Sequence, residues 1–467
     1  MVIRGTILQP WNWHTPKLDR EGKCLYQRLQ RDANRIWEQG FTAVWLPPAS
    51  EGSGGEQDVG YGIKNWYSLD CTKYGPKQEL QSAALTLRDR GISVYHDQVF
   101  NHLMGGDYEK DIACMHVKCD NRSEPLNSDS TWFKADVPTD FPWLQLNHEH
   151  FDAYHPNDHD CWILRGKKFD TDTSQDSLMG CDLDFQCGDL IIKLDHFGQW
   201  FKYEIHSDGY RFDAVKHIST HGILNFLTSM RRSARRNLFA VGEFKGDLGG
   251  LKWYIEQTQG QISLFDFPLQ WKLVEASQKK ELPHRFDMGS IFDNTLTRSN
   301  PVLSVPFVHS HDDQPPVHGK EQRGGYVGDW FISQAYALIL LRDEGYPMVA
   351  DVDMLRHGAM IQRYMLARRH CTFGSRYDRF DHPATIGWAF TGDQGYDNSM
   401  AVVLSNGDYG QKWLPTYRPH VRYRDLTQSL QHTIVTNEYG WAEFQCPSQN
   451  TSVWVEETKF DNLAPFF

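Results

Sequence analysis

GYRFDAVKHI, residues 209–218, alternates like a buried strand yet carries Arg211, Asp213, Lys216 and His217. Period-two alternation sets Arg211 and Asp213 on one side and Tyr210, Phe212 and Ala214 on the other. The polar pair must therefore meet something other than a core. Seven further short runs share the pattern of apolar, β-branched or aromatic residues closing on polar ones. They are VIRGTILQPW (2–11), FTAVWLPP (41–48), ISVYHDQVF (92–100), LFAVGEF (238–244), ISLFDFPL (262–269), VLSVPFVHSHD (302–312) and YPMVAD (346–351). Helix-like segments lie between most of them, at 24–39, 77–90 and 189–205, with Leu80, Ala83, Ala84 and Leu87 at helical spacing in one. Strand and helix in alternation predict parallel strands joined by right-handed crossovers, and eight such units predict a (β/α)8 TIM barrel.

One connection is too long for a loop. Residues 103–188 are rich in Asp, Asn, His and Cys with little periodicity, which predicts a domain inserted after the third strand. Beyond about residue 380 the short runs TIGWAF, MAVVLSN, HTIVTN, WAEFQC and SVWVEE, separated by turn signals, predict a C-terminal antiparallel β-sandwich. The expected division is 1–102 and 189–380 for the barrel, 103–188 for the insertion and 381–467 for the sandwich.

At 467 residues, 40% hydrophobic and 23% charged, the chain has enough apolar mass for a large core and smaller accessory domains. A net charge of −12 without a basic run argues against nucleic acid or a membrane surface as partner, and favours a neutral or small substrate. The 16 Trp, 20 Tyr and 26 Phe suit sugar-stacking surfaces and equally suit a large core. Nine scattered cysteines read as reduced thiols, not as a disulfide framework. MVIRGTILQPWNWH lacks a leader pattern, and no 18-residue apolar run occurs, so a cytoplasmic monomer is expected. A secreted chain with its leader already removed is the alternative.

Carboxylates gather where a barrel keeps its chemistry. Asp97, Asp213, Glu243 and Asp312 stand at or just past the carboxyl ends of the third, fourth, fifth and seventh strands. Converging carboxylates serve either metal-assisted hydrolysis, for which His102, His217 and His311 are at hand, or glycoside cleavage by a nucleophile and an acid. An arginine two residues before an attacking aspartate is expected to keep it ionised, and a glutamate in a drier pocket to hold its proton. Taken singly, a strand Arg–Asp pair reads as a buried salt bridge, Lys216–His217 as a plain strand-end pair, and Trp11 and Trp13 equally as core or barrel-floor residues or as sugar platforms.

DQVFNH (97–102), GYRFDAVKH (209–217), AVGEF (240–244) and FVHSHD (307–312) resemble, in order, the four shared regions of the α-amylase family, family 13 of the glycoside hydrolases. RGTILQPWNW, FTAVWLPPAS, DVGYG, TKYGPKQELQSA, SLMGCDLDF and DDQP extend the likeness to the liquefying bacterial α-amylases and their intracellular relatives, from about residue 4 to the sandwich. The resemblance implies retaining endo-hydrolysis of α-1,4-glucans in starch, glycogen or maltooligosaccharides. It assigns Asp213 as nucleophile, Glu243 as general acid/base and Asp312 as transition-state stabiliser. Arg211 would hold Asp213 ionised with support from Asp97, His102 and His311 would hydrogen-bond the sugar, and Tyr61 would stack beneath it. Lys216 and His217 complete the implied substrate contacts.

The resemblance also implies a calcium ion between barrel and insertion, held by Asn101, Asp176, Asp182 and the carbonyl of His217, hard oxygen donors that suit Ca²⁺. Asp170 and Asp184 match further metal positions, but Gln186 replaces an acidic ligand there. Other departures are His309 for an acidic residue, Ser310 for Asn, Lys245 for an aromatic, and VADVD (349–353) at the end of the eighth strand. They leave a 4-α-glucanotransferase or maltooligosaccharide-forming amylase open as alternatives. An inactive glucan-binding homologue is the third, although all three catalytic carboxylates are present.

Overall fold

The computed structural model describes residues 4–118, 132–157, 160–170, 172–173, 178–281, 283–317, 319–395 and 398–466. It divides into two compact units, Thr15–Asn34 with Val44–Phe265, and Met1–His14 with Arg35–Ala43 and Asp266–Phe467. In the first, strands Ser93–Gln98, Gly209–Phe212, Phe239–Gly242 and Ser263–Phe265 run parallel, with Arg211 in register with Asp97 on one side and Val241 on the other. In the second, Ile7–Gln9 pairs in parallel with Met348–Ala350, and Phe307 bridges to Met348. With Ala43–Leu46 and Ser304–Val305, these are the eight expected strands, in sheet order 7-6-5-4-3-2-1-8. They form the (β/α)8 barrel.

The crossover helices follow from their apolar stripes. Lys77–Asp89 buries Leu80, Ala83, Ala84 and Leu87, and Gly188–Ile205 buries Leu190, Leu194, Phe197 and Phe201. Tyr210 and Phe212 face outward from their strand onto Phe226, at ring separations of 5.5 and 5.9 Å, which leaves the opposite side to Arg211. The strand ends at Phe212. Ala214 then takes a left-handed φ of 46°, turning the chain into the short helical turn Val215–His217.

The inserted region is more regular than its sequence promises. Six strands order as His102–Leu103, Gly180–Leu183, Phe151–His155, Cys161–Leu164, Tyr108–Val117 and Phe133–Asp140 in one antiparallel sheet. The first half of Tyr108–Val117 is exposed on both faces, so it shows none of the alternation that marks a half-buried strand. The C-terminal sandwich packs a six-stranded sheet against the hairpin Gly410–Pro415 and Trp441–Cys446, with Ala401, Val403, Leu414, Phe444 and Trp454 between. Its strands Arg376–Arg379 and Arg422–Asp425 are charged and escape a hydrophobic-pattern reading.

Candidate active site

In the unit of the third to sixth strands, Arg211 is the centre. It is 1% exposed, and its Nη1 donates to Asp97 Oδ1 at 2.8 Å, Asp97 Oδ2 at 3.1 Å and Asp213 Oδ1 at 2.6 Å. Its Nη2 donates to Glu243 Oε2. The carboxylates are set by the backbone: Asp213 N donates to Gln98 O at 3.0 Å, and Glu243 N to Phe212 O at 2.9 Å. Asp97 also accepts from Trp45 Nε1 at 3.2 Å and from the Tyr61 hydroxyl at 2.8 Å. The guanidinium carbon lies 5.0 Å from the Trp45 ring centroid and 5.7 Å from that of Tyr61. Aromatic faces and carboxylates thus enclose the cation from different sides.

The ionising pull expected of Arg211 on Asp213 is opposed in this arrangement. Burial pushes the Asp213 carboxyl well above its ordinary value, against the pull of Arg211. One guanidinium is divided among three carboxylates in a dry place, so desolvation and the negative charges of Glu243 and Asp97 outweigh it.

His102 is engaged by the protein's own groups. Both ring nitrogens are engaged within the protein: Nε2 faces the Tyr61 carbonyl at 2.8 Å and Nδ1 faces Asn101 Nδ2 at 3.1 Å. This requires Nε2–H and an unprotonated Nδ1, consistent with a pKa pushed down to about 4 by burial. In this state His102 fixes the backbone of Tyr61, and it reaches a sugar only by exchanging one of these bonds. Lys216, half-buried, and His217, buried, sit on the turn after Asp213.

In the other unit, His311 and Asp312 follow the seventh strand. His311 is buried against Trp11 at 4.6 Å, lies parallel to Trp13 at 6.4 Å, and bonds Gln9 Nε2 through Nδ1 at 3.0 Å. Its Nε2 lies 3.2 Å from Asp312 Oδ2. Trp11 is fully buried and belongs to the core. The sequence reading missed Arg323, whose Nη2 bonds Asp312 Oδ1 at 3.0 Å and whose guanidinium carbon lies 3.5 Å from the Trp13 centroid. It is returned to Asp312 by a hairpin bridged at Gln314–Arg323 and Val317–Lys320. Gly324 closes that hairpin at φ +53°, where a Cβ would stand 2.7 Å from the Asp312 carbonyl. Ser310, one of the departures, accepts from the Asp312 and Asp313 amides at 3.2 and 3.3 Å.

Two other departures prove to be partners. His309 Nδ1 lies 2.9 Å from Asp353 Oδ1, the last residue of VADVD, and Tyr336 donates to Asp353 Oδ2 at 2.6 Å. His309 Nε2 accepts from the Val327 amide at 2.9 Å, which places the ring proton on Nδ1. All three side chains are buried.

Of the four expected calcium ligands, Asp176 lies outside the described residues. Asn101, Asp182 and His217 are 1%, 2% and 7% exposed. Asn101 Oδ1 is a buried acceptor without a hydrogen-bond donor among the described residues, the mark of an oxygen that suits a cation. No group of three or more His, Cys, Asp or Glu among the described residues is arranged to hold a metal by itself. Asp170 is buried, and Asp184 is engaged by Lys167 Nζ at 2.7 Å and the Gln186 amide at 2.9 Å. An ammonium already neutralises Asp184, which weakens it as a ligand for a further ion. Asp152, fully buried on a strand paired with that of Asp182, is a carboxylate the sequence reading did not single out.

The family model for the α-amylase catalytic domain matches residues 34–317. The chain is 32% identical to the glucan 1,4-α-maltohexaosidase of Bacillus sp. (strain 707), over 97% of this chain and 92% of that protein. It is 31% identical to the α-amylase of Bacillus licheniformis, covering 97% and 94%, and 30% identical to the cytoplasmic α-amylase of Escherichia coli (strain K12), covering 97% and 99%. Among solved structures, an α-amylase from Geobacillus thermoleovorans superposes with a TM-score of 0.67 at 16% identity, over 97% of this chain and 98% of that one.

Proposed function

Since the chain belongs to the α-amylase family and is a glycoside hydrolase with α-amylase activity, we propose that it cleaves internal α-1,4 bonds of starch-like or glycogen-like glucans by double displacement. Asp213 attacks the anomeric carbon while Glu243 gives its proton to the departing glycosidic oxygen. Glu243 then takes a proton from water, whose oxygen displaces Asp213 and leaves the product in the α-configuration. The observation that carries this reading is Arg211 bonded at once to Asp97, Asp213 and Glu243. Once bonded to the anomeric carbon, Asp213 is a neutral ester, which relieves the crowding of three carboxylates around one cation. Asp312, held by Arg323, supplies negative charge toward the oxocarbenium-like transition state.

The residues at the proposed calcium site fit that ion: Asn101, Asp182 and the His217 carbonyl, with Asp176 from the sequence pattern. These residues, on the turn after Asp213 and in or just before the inserted region, would hold Ca²⁺, which would supply a fixed positive charge there. That insertion is proposed to span residues 103–188, between barrel parts 1–102 and 189–380, with the sandwich at 381–467. A cytoplasmic location is supported by the Escherichia coli relative. An anomer-resolved NMR time course on soluble starch tests the mechanism: the α-anomer must appear first, and initial release of the β-anomer refutes it.

The maltohexaose-forming relative favours a second reading of the product pattern, in which short maltooligosaccharides of defined length dominate. Early products from amylose, resolved by chain length, separate it from random endo-cleavage.

A further inference from the structure

A cavity of about 340 Å³ that shares no lining residue with the Arg211 cluster is walled by Trp66, Tyr67 and Trp143, with Gln145, Lys193 and His196 also lining it. Its volume lies at the lower end of small-ligand sites, enough for about one or two sugar rings. Three segments build it: the loop after strand Ile63–Asn65, the turn Pro142–Leu144 of the inserted region, and helix Gly188–Ile205. The walls are held in place before any ligand arrives. Trp143 Nε1 donates to Lys64 O at 3.4 Å, with the Lys64 ammonium 4.9 Å from its ring. Tyr67 meets Phe197 edge-on at 5.5 Å and Trp200 at 4.9 Å, yet stays 37% exposed. Trp66 is buried against Phe100 and Phe197, and its indole Nε1 has no hydrogen-bond partner among the described residues.

The chemistry of the lining selects a ligand class. Lys193 is already paired with Asp189 at 3.2 Å, so the cavity offers no uncompensated charge to an ionic ligand. Aromatic faces favour a ligand with apolar ring faces, while the exposed amide of Gln145 and imidazole of His196 favour hydroxyl groups. A neutral pyranose satisfies both. We infer that this cavity is a second α-glucan-binding site, which holds one segment of a polymer while another lies at the catalytic carboxylates. The inference rests on the reading of the protein as an α-glucan hydrolase. Tethering a polymer at two points raises the effective concentration of its cleavable segments without changing the chemistry at any one bond.

The test uses Trp143→Ala and Tyr67→Ala in the full chain, with glycogen and a chromogenic maltotrioside as probes. Retardation in native gels containing glycogen, measured on a Glu243→Gln background, should weaken about tenfold, and KM for glycogen should rise by a similar factor. Values of kcat and KM on the maltotrioside should stay within about twofold. Unchanged retardation, or equal losses on both substrates, overturns the inference. Thermal unfolding checks each variant. If Trp143→Ala does not fold, Gln145→Ala and His196→Ala, whose side chains are exposed, carry the test, and wild-type retardation in both overturns it. A wild-type protein that cleaves neither substrate refutes the hydrolase reading itself; one that cleaves both, with cavity variants binding glycogen normally, refutes only the second site.

Discussion

Arg211 and Arg323 each hold a strand-end carboxylate, in opposite surroundings. Arg211 is 1% exposed and shared among Asp97, Asp213 and Glu243, whereas the side chains of Arg323 and Asp312 are 34% and 33% exposed. The same ion-pair chemistry then has different consequences. In the dry cluster the cation sets whether the carboxylates can be buried at all. At the exposed pair water does most of that work, and Arg323, stacked on Trp13, chiefly orients Asp312. Burial is thus concentrated around Arg211, while Asp312 is left partly open to solvent.

Substitutions should separate the two regions by size of effect. Asp213→Asn removes the proposed nucleophile and should lower kcat on soluble starch by on the order of 10⁴-fold or more, with little change in folding. Arg211→Met should be the most damaging to stability, by about 3–5 kcal/mol in urea unfolding, since it leaves buried carboxylates without their cation. The sign with pH follows: carboxyls raised above their unfolded values lose stability as pH rises, so the deficit should grow from acid toward neutral pH. The same variant should move the acid limb of kcat/KM to higher pH, because Asp213, already raised by burial, loses its nearest opposing charge. An acid limb that stays in place would contradict the shared-cation account.

Smaller effects belong to the other unit. Asp353→Asn and His309→Gln should each destabilise by about 1.5–3 kcal/mol, the range for buried hydrogen bonds to charged groups. In a double-mutant cycle they should show coupling of about 0.5–3 kcal/mol; additive losses would mean that the pair forms without mutual support. Arg323→Ala should cost at most about 1 kcal/mol of stability. A loss as large as that of Arg211→Met would erase the distinction between the two arginines.

Much of this was legible from residue order. Each barrel strand is a short apolar run ended by a charge, so period and position sufficed to find all eight strands, as with GYRFDAV and LFAVGEF. What alternation cannot supply is the neighbour across the sheet. The register that sets Arg211 beside Asp97, and hence the sharing of one cation, lies in long-range pairing. Arg323 was invisible for a similar reason: its route back to Asp312 depends on a hairpin and on the close approach at Gly324. The pairing of His309 with Asp353 turns two apparent oddities into one substitution. The inserted sheet was missed because solvent wets both faces of the first half of Tyr108–Val117, which removes the hydrophobic period that announces a strand.

The central claim, that Asp213 becomes covalently linked to the sugar, is most directly tested by trapping the intermediate. In Glu243→Gln, a maltosyl fluoride supplies a leaving group that needs no proton, so the first step proceeds while the second stalls. Peptide mapping by mass spectrometry should then find the glycosyl mass on Asp213. A label on any other residue, or turnover without a label, would contradict the account.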